Sequence, residues 1–541
     1  MAMLSTDKRA DLLVAIICVV ATLSFIGSRD IEEIRERRLA GTTADVYDHG
    51  HWLLPELQGA PRYLKPPYAD WVAVGSMHLF GRNEFAFRLP FALAGLGMIA
   101  VGFALARKMF DAQTARTAAL ILATTPYFIS ECHSPSQDLW LGLFTGAALL
   151  SWWCWQEEGR PWSRAWWGFW LSTALACLFK GPLALAIVGI PIVLDLWLSG
   201  RWAFGLRLRP WWGLLIVFAL ALPWPLAVWS QYPDYPARLW ADMKISLVKD
   251  PTKHGFSYLN HIGNWPWFTF PWSVLGIGAL LLPLWRRALP DWPRLRFCYG
   301  WLIGNFAFFA TWAMQPMHYL LPVVPAIAVI EAALLRRLIE VIELKKTDWL
   351  PRSVAIVLAV CFVGFAVGTA VFLYARGLVP AASCIAVAVC LLIPAVIAAR
   401  WLFTKPDAAT GFFVATGLMC VIVIAGWIEP AISQRKSIAS VGKELVSQVP
   451  PREPVYFTET KEALPFYAPR RFRQLAATDA PAMADNLARI ADGYLLLTRH
   501  RFEGAESSLR ERFTLQVILQ QKNRKDGGND LLLVRFHVRQ A

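Results

Sequence analysis

Between two long apolar runs lies a stretch, residues 28–85, with more charge and more aromatic residues than an ordinary connection needs. It opens with Arg29-Asp30-Ile31-Glu32-Glu33-Ile34-Arg35-Glu36-Arg37-Arg38, continues through His51-Trp52-Leu53-Leu54-Pro55, and reaches Tyr63-Leu64-Lys65-Pro66-Pro67-Tyr68. Lys65 is the leading candidate for holding a phosphate. Pro66 and Pro67 stiffen the backbone and push Lys65 towards an extended conformation, which aims an ammonium at an anion instead of leaving it loose. The plainer alternative is a lysine whose stem lies along a membrane interface. Arg88, ahead of Leu89-Pro90, either binds an anion or anchors a helix end.

Asp138, within Ser134-Pro135-Ser136-Gln137-Asp138-Leu139-Trp140, stands where an aspartate caps a helix and meets its dipole. An acid at membrane depth is costly and often functional, so a catalytic part is weighed equally. Lys180, in Phe179-Lys180-Gly181-Pro182, is placed to reach Asp138, to hold a phosphate or to cap its turn. The loop 231–264 carries Lys244, Lys249, Lys253 and His254 beside Phe256 and Tyr258. It reads as a substrate-phosphate or metal site, against the alternative of a solvated charged face. In Gln315-Pro316-Met317-His318-Tyr319-Leu320-Leu321-Pro322, His318 and Tyr319 sit at the entrance of an apolar run, where tyrosines are common.

The elements that must position these groups are membrane helices. Of 541 residues, 56% are hydrophobic and only 17% charged, against about 25% charged in soluble domains; the mean hydropathy is +0.41. Apolar runs of about twenty residues mark spans, and about thirteen are expected by that criterion. They lie near 12–27, 86–106, 114–129, 138–155, 166–179, 182–198, 211–230, 265–284, 297–313, 319–335, 352–374, 378–399 and 410–428. The pair around Lys180-Gly181-Pro182 is expected to be broken or tightly turned. The 27 tryptophans suit interfacial belts.

Basic pairs such as Arg107-Lys108, Arg286-Arg287 and Arg336-Arg337 fall on alternate loops, which places those loops and the N-terminus in the cytoplasm. The loops 28–85, 130–137, 231–264 and 314–318, and the segment from 429 on, then face the other side. The net charge of +14 follows mainly from the cytoplasmic loops. Nucleic acid is not expected as a partner, because no basic soluble domain with interleaved aromatics occurs. The nine cysteines form no CxxC pair and fall mostly in apolar runs, so they read as small buried residues rather than a disulfide framework or a zinc site. The first apolar run lacks a small-residue cleavage site and reads as a retained anchor.

Two domains are expected: residues 1–430, a transmembrane domain that includes the loops 28–85 and 231–264, and residues 431–541, a small α/β domain. In the second, short apolar runs (Val455-Tyr456-Phe457, Tyr494-Leu495-Leu496-Leu497, Leu531-Leu532-Leu533-Val534) alternate with helix-like polar stretches.

Taken together, His51-Trp52-Leu53-Leu54-Pro55, Gly59, Lys65-Pro66-Pro67, Leu79-Phe80-Gly81, Glu84-Phe85 and Arg88-Leu89-Pro90 resemble the first periplasmic loop of the aminoarabinose transferase and protein O-mannosyltransferase group of bacterial C-type glycosyltransferases. The resemblance continues through Asp138, Lys180-Gly181-Pro182 and His318-Tyr319-Leu320-Leu321-Pro322, and extends over essentially the whole chain. It implies an all-α polytopic fold of about thirteen spans with a C-terminal periplasmic α/β domain. It also implies residence in the inner membrane among its lipids, and a sugar donor linked to undecaprenyl phosphate. The acceptor would be lipid A or another cell-envelope glycan. The family's roles carry over to Lys65 as a phosphate ligand, Asp138 as an acidic position, Tyr319 before Leu-Leu-Pro, and His254 as a ligand for a divalent metal ion.

Two departures stand out. The family's Asp-Glu-x-Arg becomes Arg35-Glu36-Arg37-Arg38, and its Glu-Lys-Pro-Pro becomes Leu64-Lys65-Pro66-Pro67. The expected site therefore has Glu36 and Asp138 as catalytic carboxylates, with Glu33, Glu32 or Asp30 as alternatives to Glu36 through a shifted loop. Lys65, Arg38, Tyr63, Arg88, Lys180, Lys253, His318 and Tyr319 bind substrate, and His254 is the metal ligand. Loss of the aspartate matters less if the acceptor is itself a phosphate, which leaves little proton to remove. The competing readings are a transporter or flippase of lipid-linked sugars and a non-catalytic relative.

Overall fold

The computed structural model describes residues 6–63, 65–247, 260–281, 291–312, 316–343, 406–433, 438–451, 453–458, 462–475, 479–521 and 530–539, with scattered positions between 353 and 393. The chain divides into two compact units. The first comprises Met1–Ile26, Leu64–Pro66 and Arg88–Ile428; the second comprises Gly27–Tyr63, Pro67–Phe87 and Glu429–Ala541. The sequence had grouped the loop 28–85 with the membrane domain, whereas most of it clusters with the C-terminal segment.

The helices of the first unit follow the apolar runs. They begin with α1 (Thr6–Leu23). After α2 (Ile34–His49), the hairpin β1 (Glu56–Leu57) and β2 (Ala60–Pro61), and α3 (Tyr68–Phe80), all of the second unit, comes α4 (Glu84–Met109). Next are α5 (Ala112–Ala123), α6 (Pro126–Cys132), α7 (Gln137–Glu158), α8 (Arg164–Lys180) and α9 (Leu183–Ser199). The run expected as one span at 114–129 is broken between α5 and α6, because Pro126 holds Thr125 in an extended conformation. The run at 211–230 is likewise a pair of helices, Pro210–Ala221 and Pro223–Gln231, bent by 43° at the proline. Gly181, at φ +72°, ends α8, and Pro182 opens α9, so the Lys180-Gly181-Pro182 pair is turned rather than continuous. Among the described residues, two helical stretches are long and apolar enough to cross a membrane, Glu84–Met109 and Met317–Glu340, or three if the bent pair is one span. The expected spans 352–374 and 378–399 lie largely outside the described residues.

Small residues let these helices approach closely. A Cβ on Gly213 would fall 1.8 Å from the Trp170 ring of α8, and one on Gly95 of α4 would fall 2.2 Å from Cys132 Sγ.

In the second unit a five-stranded mixed sheet is ordered β4-β3-β5-β7-β6. Its strands are β3 (Val455–Phe457), β4 (Phe472–Gln474), β5 (Asp492–Thr498), β6 (Phe513–Gln521) and β7 (Leu531–Val538). β3 runs parallel to β4 and β5, and β7 runs antiparallel to β5 and β6. Period-two alternation sends Leu495, Leu497, Leu532 and Val534 to one face, with helices Ala480–Ile490 and Arg499–Arg512. Tyr494, Leu496, Leu531 and Leu533 go to the other, with helix Ala439–Gln448. A sheet covered on both faces reads as continuous apolar strands, which is why these runs were visible in the sequence.

Candidate active site

The first unit brings together five of the residues singled out from the sequence. α7 and α8 form an antiparallel hairpin, so the start of one lies beside the end of the other. Asp138 occupies the first turn of α7, and Lys180 is the last residue of α8. Lys180 Nζ donates to Asp138 Oδ1 at 2.5 Å, with the two side chains 10% and 6% exposed. Each charge also opposes the dipole of its own helix end. The Lys180 ammonium lies 5.5 Å from the centre of the Tyr319 ring, a cation–π distance. Tyr319 is held by the 3-10 turn Met317–Val323 and packs against Phe309 and Trp312. His318 stands edge-on to Tyr319, ring centres 5.0 Å apart. The charges of Lys180, His318 and Lys65 all act on Asp138. Trp140, two residues after Asp138, and Phe179, one before Lys180, stack face to face at 5.0 Å; nothing in the sequence had singled out this aromatic wall.

Two lysines against one aspartate leave this cluster with a net positive charge before His318 is counted, which suits a phosphate. Among the described residues it does not suit a divalent cation. Its one carboxylate is already engaged by Lys180, and its neighbours are cationic. Lys253 and His254 lie outside the described residues.

The remaining expected residues have other surroundings. Arg88 is fully buried and donates through Nη1 to the Ile26 carbonyl at 2.8 Å. Glu36, Arg38 and Tyr63 belong to the second unit. Glu36 is fully buried, with Arg29 at 3.7 Å, and Arg29 also meets Glu429 at 3.4 Å. Here the Glu36 carboxylate ties segments of the second unit together. Arg38, half exposed, faces Glu462 at 3.4 Å, and Arg37 faces the same carboxylate at 3.6 Å. Tyr63 is half-buried in the turn after β2.

Sequence reasoning also passed over Asp70. It is buried in α3 and accepts from Thr42 Oγ1 at 2.6 Å and Thr43 Oγ1 at 3.1 Å. Burial pushes its carboxyl up to about 6, opposed by the Thr42 hydrogen bond, the Arg62 charge and the Thr43 hydrogen bond. The only sequence signal was an acid in the first turn after Pro66-Pro67, which reads equally well as an ordinary helix-start charge.

The chain aligns with ArnT from Cupriavidus metallidurans bound to undecaprenyl phosphate at a TM-score of 0.78 and 18% identity, covering 97% of this chain and 98% of that one. An archaeal oligosaccharyltransferase from Archaeoglobus fulgidus aligns at a TM-score of 0.52 and 11% identity, over 92% of this chain and 70% of that one. At that level of identity both alignments show a shared fold.

In sequence, residues 64–229 match the dolichyl-phosphate-mannose-protein mannosyltransferase family. The undecaprenyl phosphate-alpha-4-amino-4-deoxy-L-arabinose arabinosyl transferase of Shewanella sediminis is 26% identical over 57% of this chain and 56% of its own length. That of Aeromonas salmonicida is 29% identical over 55% of each. The chain thus spans a little over half the length of the curated relatives it matches. The resemblance read from the sequence holds: over that part of its length this chain is similar to the aminoarabinose transferases.

Proposed function

We propose that the protein is a multi-pass inner-membrane glycosyltransferase that moves a sugar from undecaprenyl phosphate to lipid A or another envelope acceptor. In this reading the chain crosses the membrane about thirteen times, and the residues around Lys65 face the periplasm. The observation that carries the proposal is the meeting of Lys65, Lys180, His318 and Tyr319 around Asp138. The similarity to transferases with an undecaprenyl-phosphate donor supports it.

The chemistry asked of such a site is modest. An acceptor oxygen attacks the anomeric carbon, the bond from that carbon to the phosphate oxygen breaks, and undecaprenyl phosphate leaves with the electron pair. Lys65 and Lys180 stabilise the charge that grows on the leaving phosphate. Asp138, ion-paired with Lys180, holds that ammonium in place. An acceptor that is already a phosphate anion has no proton to give up, so such an acceptor needs no strong base here. We infer the same kind of role, a phosphate contact, for Lys253.

The test is transfer by the purified protein from an undecaprenyl-phosphate aminoarabinose donor to lipid A. Turnover by the wild type that is lost in Lys65→Ala supports the reading. Donor lipid moved across a vesicle without transfer would favour a flippase, and neither activity would favour a non-catalytic relative.

A further inference from the structure

The second unit contains a cluster that the transfer chemistry does not use. Asp45 and His49 lie on one face of α2, four residues apart, and the imidazole Nδ1 of His49 is 3.1 Å from Asp45 Oδ1. Gly50 then ends the helix at φ +73°, a left-handed conformation that suits glycine, and the chain doubles back. His51 returns over the same carboxylate, its Nδ1 3.1 and 3.0 Å from the two Asp45 oxygens. The hairpin comes next. Its turn at Gln58 and Gly59 has φ of +58° and +82°, and the Glu56 backbone N–H donates to Asp45 Oδ2 at 2.7 Å. That bond fixes the start of β1 beside α2 and brings the Glu56 carboxylate in. One ligand atom each from Asp45, His51 and Glu56 lies within 4.8 Å of the others.

We propose that Asp45, His51 and Glu56 form a binding site for a zinc-type divalent cation. One imidazole and two carboxylates suit zinc, which takes three protein ligands and leaves a fourth position to water. Tetrahedral ligands at about 2.0–2.1 Å from the metal stand roughly 3.3 Å apart. Asp45 and His51 already meet that spacing, and Glu56 reaches it by swinging its side chain on a fixed backbone. His49 bonds to the Asp45 carboxylate and orients it, the usual support of a metal ligand. The site is open to solvent, with His51 44% exposed and Asp45 12% exposed, so the ion has a way in. A bound ion would clip α2 to the hairpin, which ends at Pro61, shortly before Lys65 in the chain. The competing explanation is two imidazoles hydrogen-bonded to one carboxylate at a helix end, with no affinity for metal.

The experiment uses the full-length, tag-free protein in detergent, stripped with a chelator and titrated with zinc against a chromophoric competitor. Bound metal is counted by elemental analysis. The expected result is one zinc per chain, with affinity reduced about tenfold or more in H51Q and in D45N, and less in H49Q. Zinc should raise the melting temperature of the wild type and not that of H51Q. Unchanged zinc affinity in H51Q, or no stoichiometric zinc in the wild type, overturns the proposal. Because His51 is exposed, H51Q decides the matter even if D45N fails to fold, and none of these readouts depends on sugar transfer.

Discussion

Lys65 and Asp138 have different surroundings, and their variants should fail differently. Lys65 is half-buried in an irregular stretch stiffened by two prolines. Lys65→Ala should lower transfer about 100-fold or more, the scale of losing one donor to a developing oxyanion, while leaving the melting temperature within a degree or two of the wild type's; paired turnover and thermal-shift measurements check this. Asp138 is locked to Lys180 in a buried pair. Asp138→Asn leaves the lysine charge without its carboxylate, at a cost of about 3–5 kcal/mol, so here activity and stability should fall together. Tyr319 contributes its ring face to Lys180. Tyr319→Phe should stay within about threefold of wild-type turnover and Tyr319→Leu should lose more, since a cation–π contact needs the ring and not the hydroxyl. Equal losses in the two Tyr319 variants would mean that the hydroxyl touches the substrate.

At the level of elements, α2 organises the second unit. Its N-terminus is capped by Glu33, which accepts from the backbone N–H groups of Arg35 and Glu36. One of its faces carries Glu36, Leu39, Ala40 and Thr43 into the interior. Gly41 is where the helix comes closest to its neighbours: a Cβ there would lie 2.3 Å from the Glu462 carbonyl oxygen and 2.6 Å from Leu57 Cδ1. Alanine is ordinarily the better helix residue by about 1 kcal/mol. Here Gly41→Ala should instead destabilise the protein by about 1–3 kcal/mol, the usual cost of overpacking, as read from the unfolding midpoint. A stabilised Gly41→Ala would show that the approach is looser than described.

For the molecule as a whole, buried Asp70 makes stability depend on pH. Its ordinary value of 3.8 rises to about 6 on folding, so the folded protein holds this proton more tightly than the unfolded chain does. Stability is therefore greatest below about pH 4 as far as this group is concerned, falls as pH rises through 6, and is lower by roughly 3 kcal/mol above that. Asp70→Asn keeps an acceptor for Thr42 and Thr43 but carries no charge. Its melting temperature at pH 8 should exceed that of the wild type, and the difference should shrink by pH 4.5. A wild type that gains stability from pH 4.5 to 8 through this residue would contradict the assignment.

Periodicity and spacing in the chain determined the kind of molecule this is. Apolar runs too long for a soluble core marked the helical unit, alternation of strand-like and helix-like runs marked the C-terminal sheet, and Lys65-Pro66-Pro67, Asp138, Lys180 and His318-Tyr319 carried the resemblance. Those signals are local: each depends on a residue and its neighbours along the backbone. Whether a charge is available, sealed or shared depends on what folds against it, and only the tertiary structure decided that. Glu36 and Arg88 looked like active groups and are buried against Arg29 and a backbone carbonyl. Asp70 looked ordinary and is a buried acid. Asp45, His51 and Glu56, spread over a helix, a turn and a hairpin, have no common spacing to read, and they converge because Gly50 reverses the chain and a backbone hydrogen bond to Asp45 holds the strand in place.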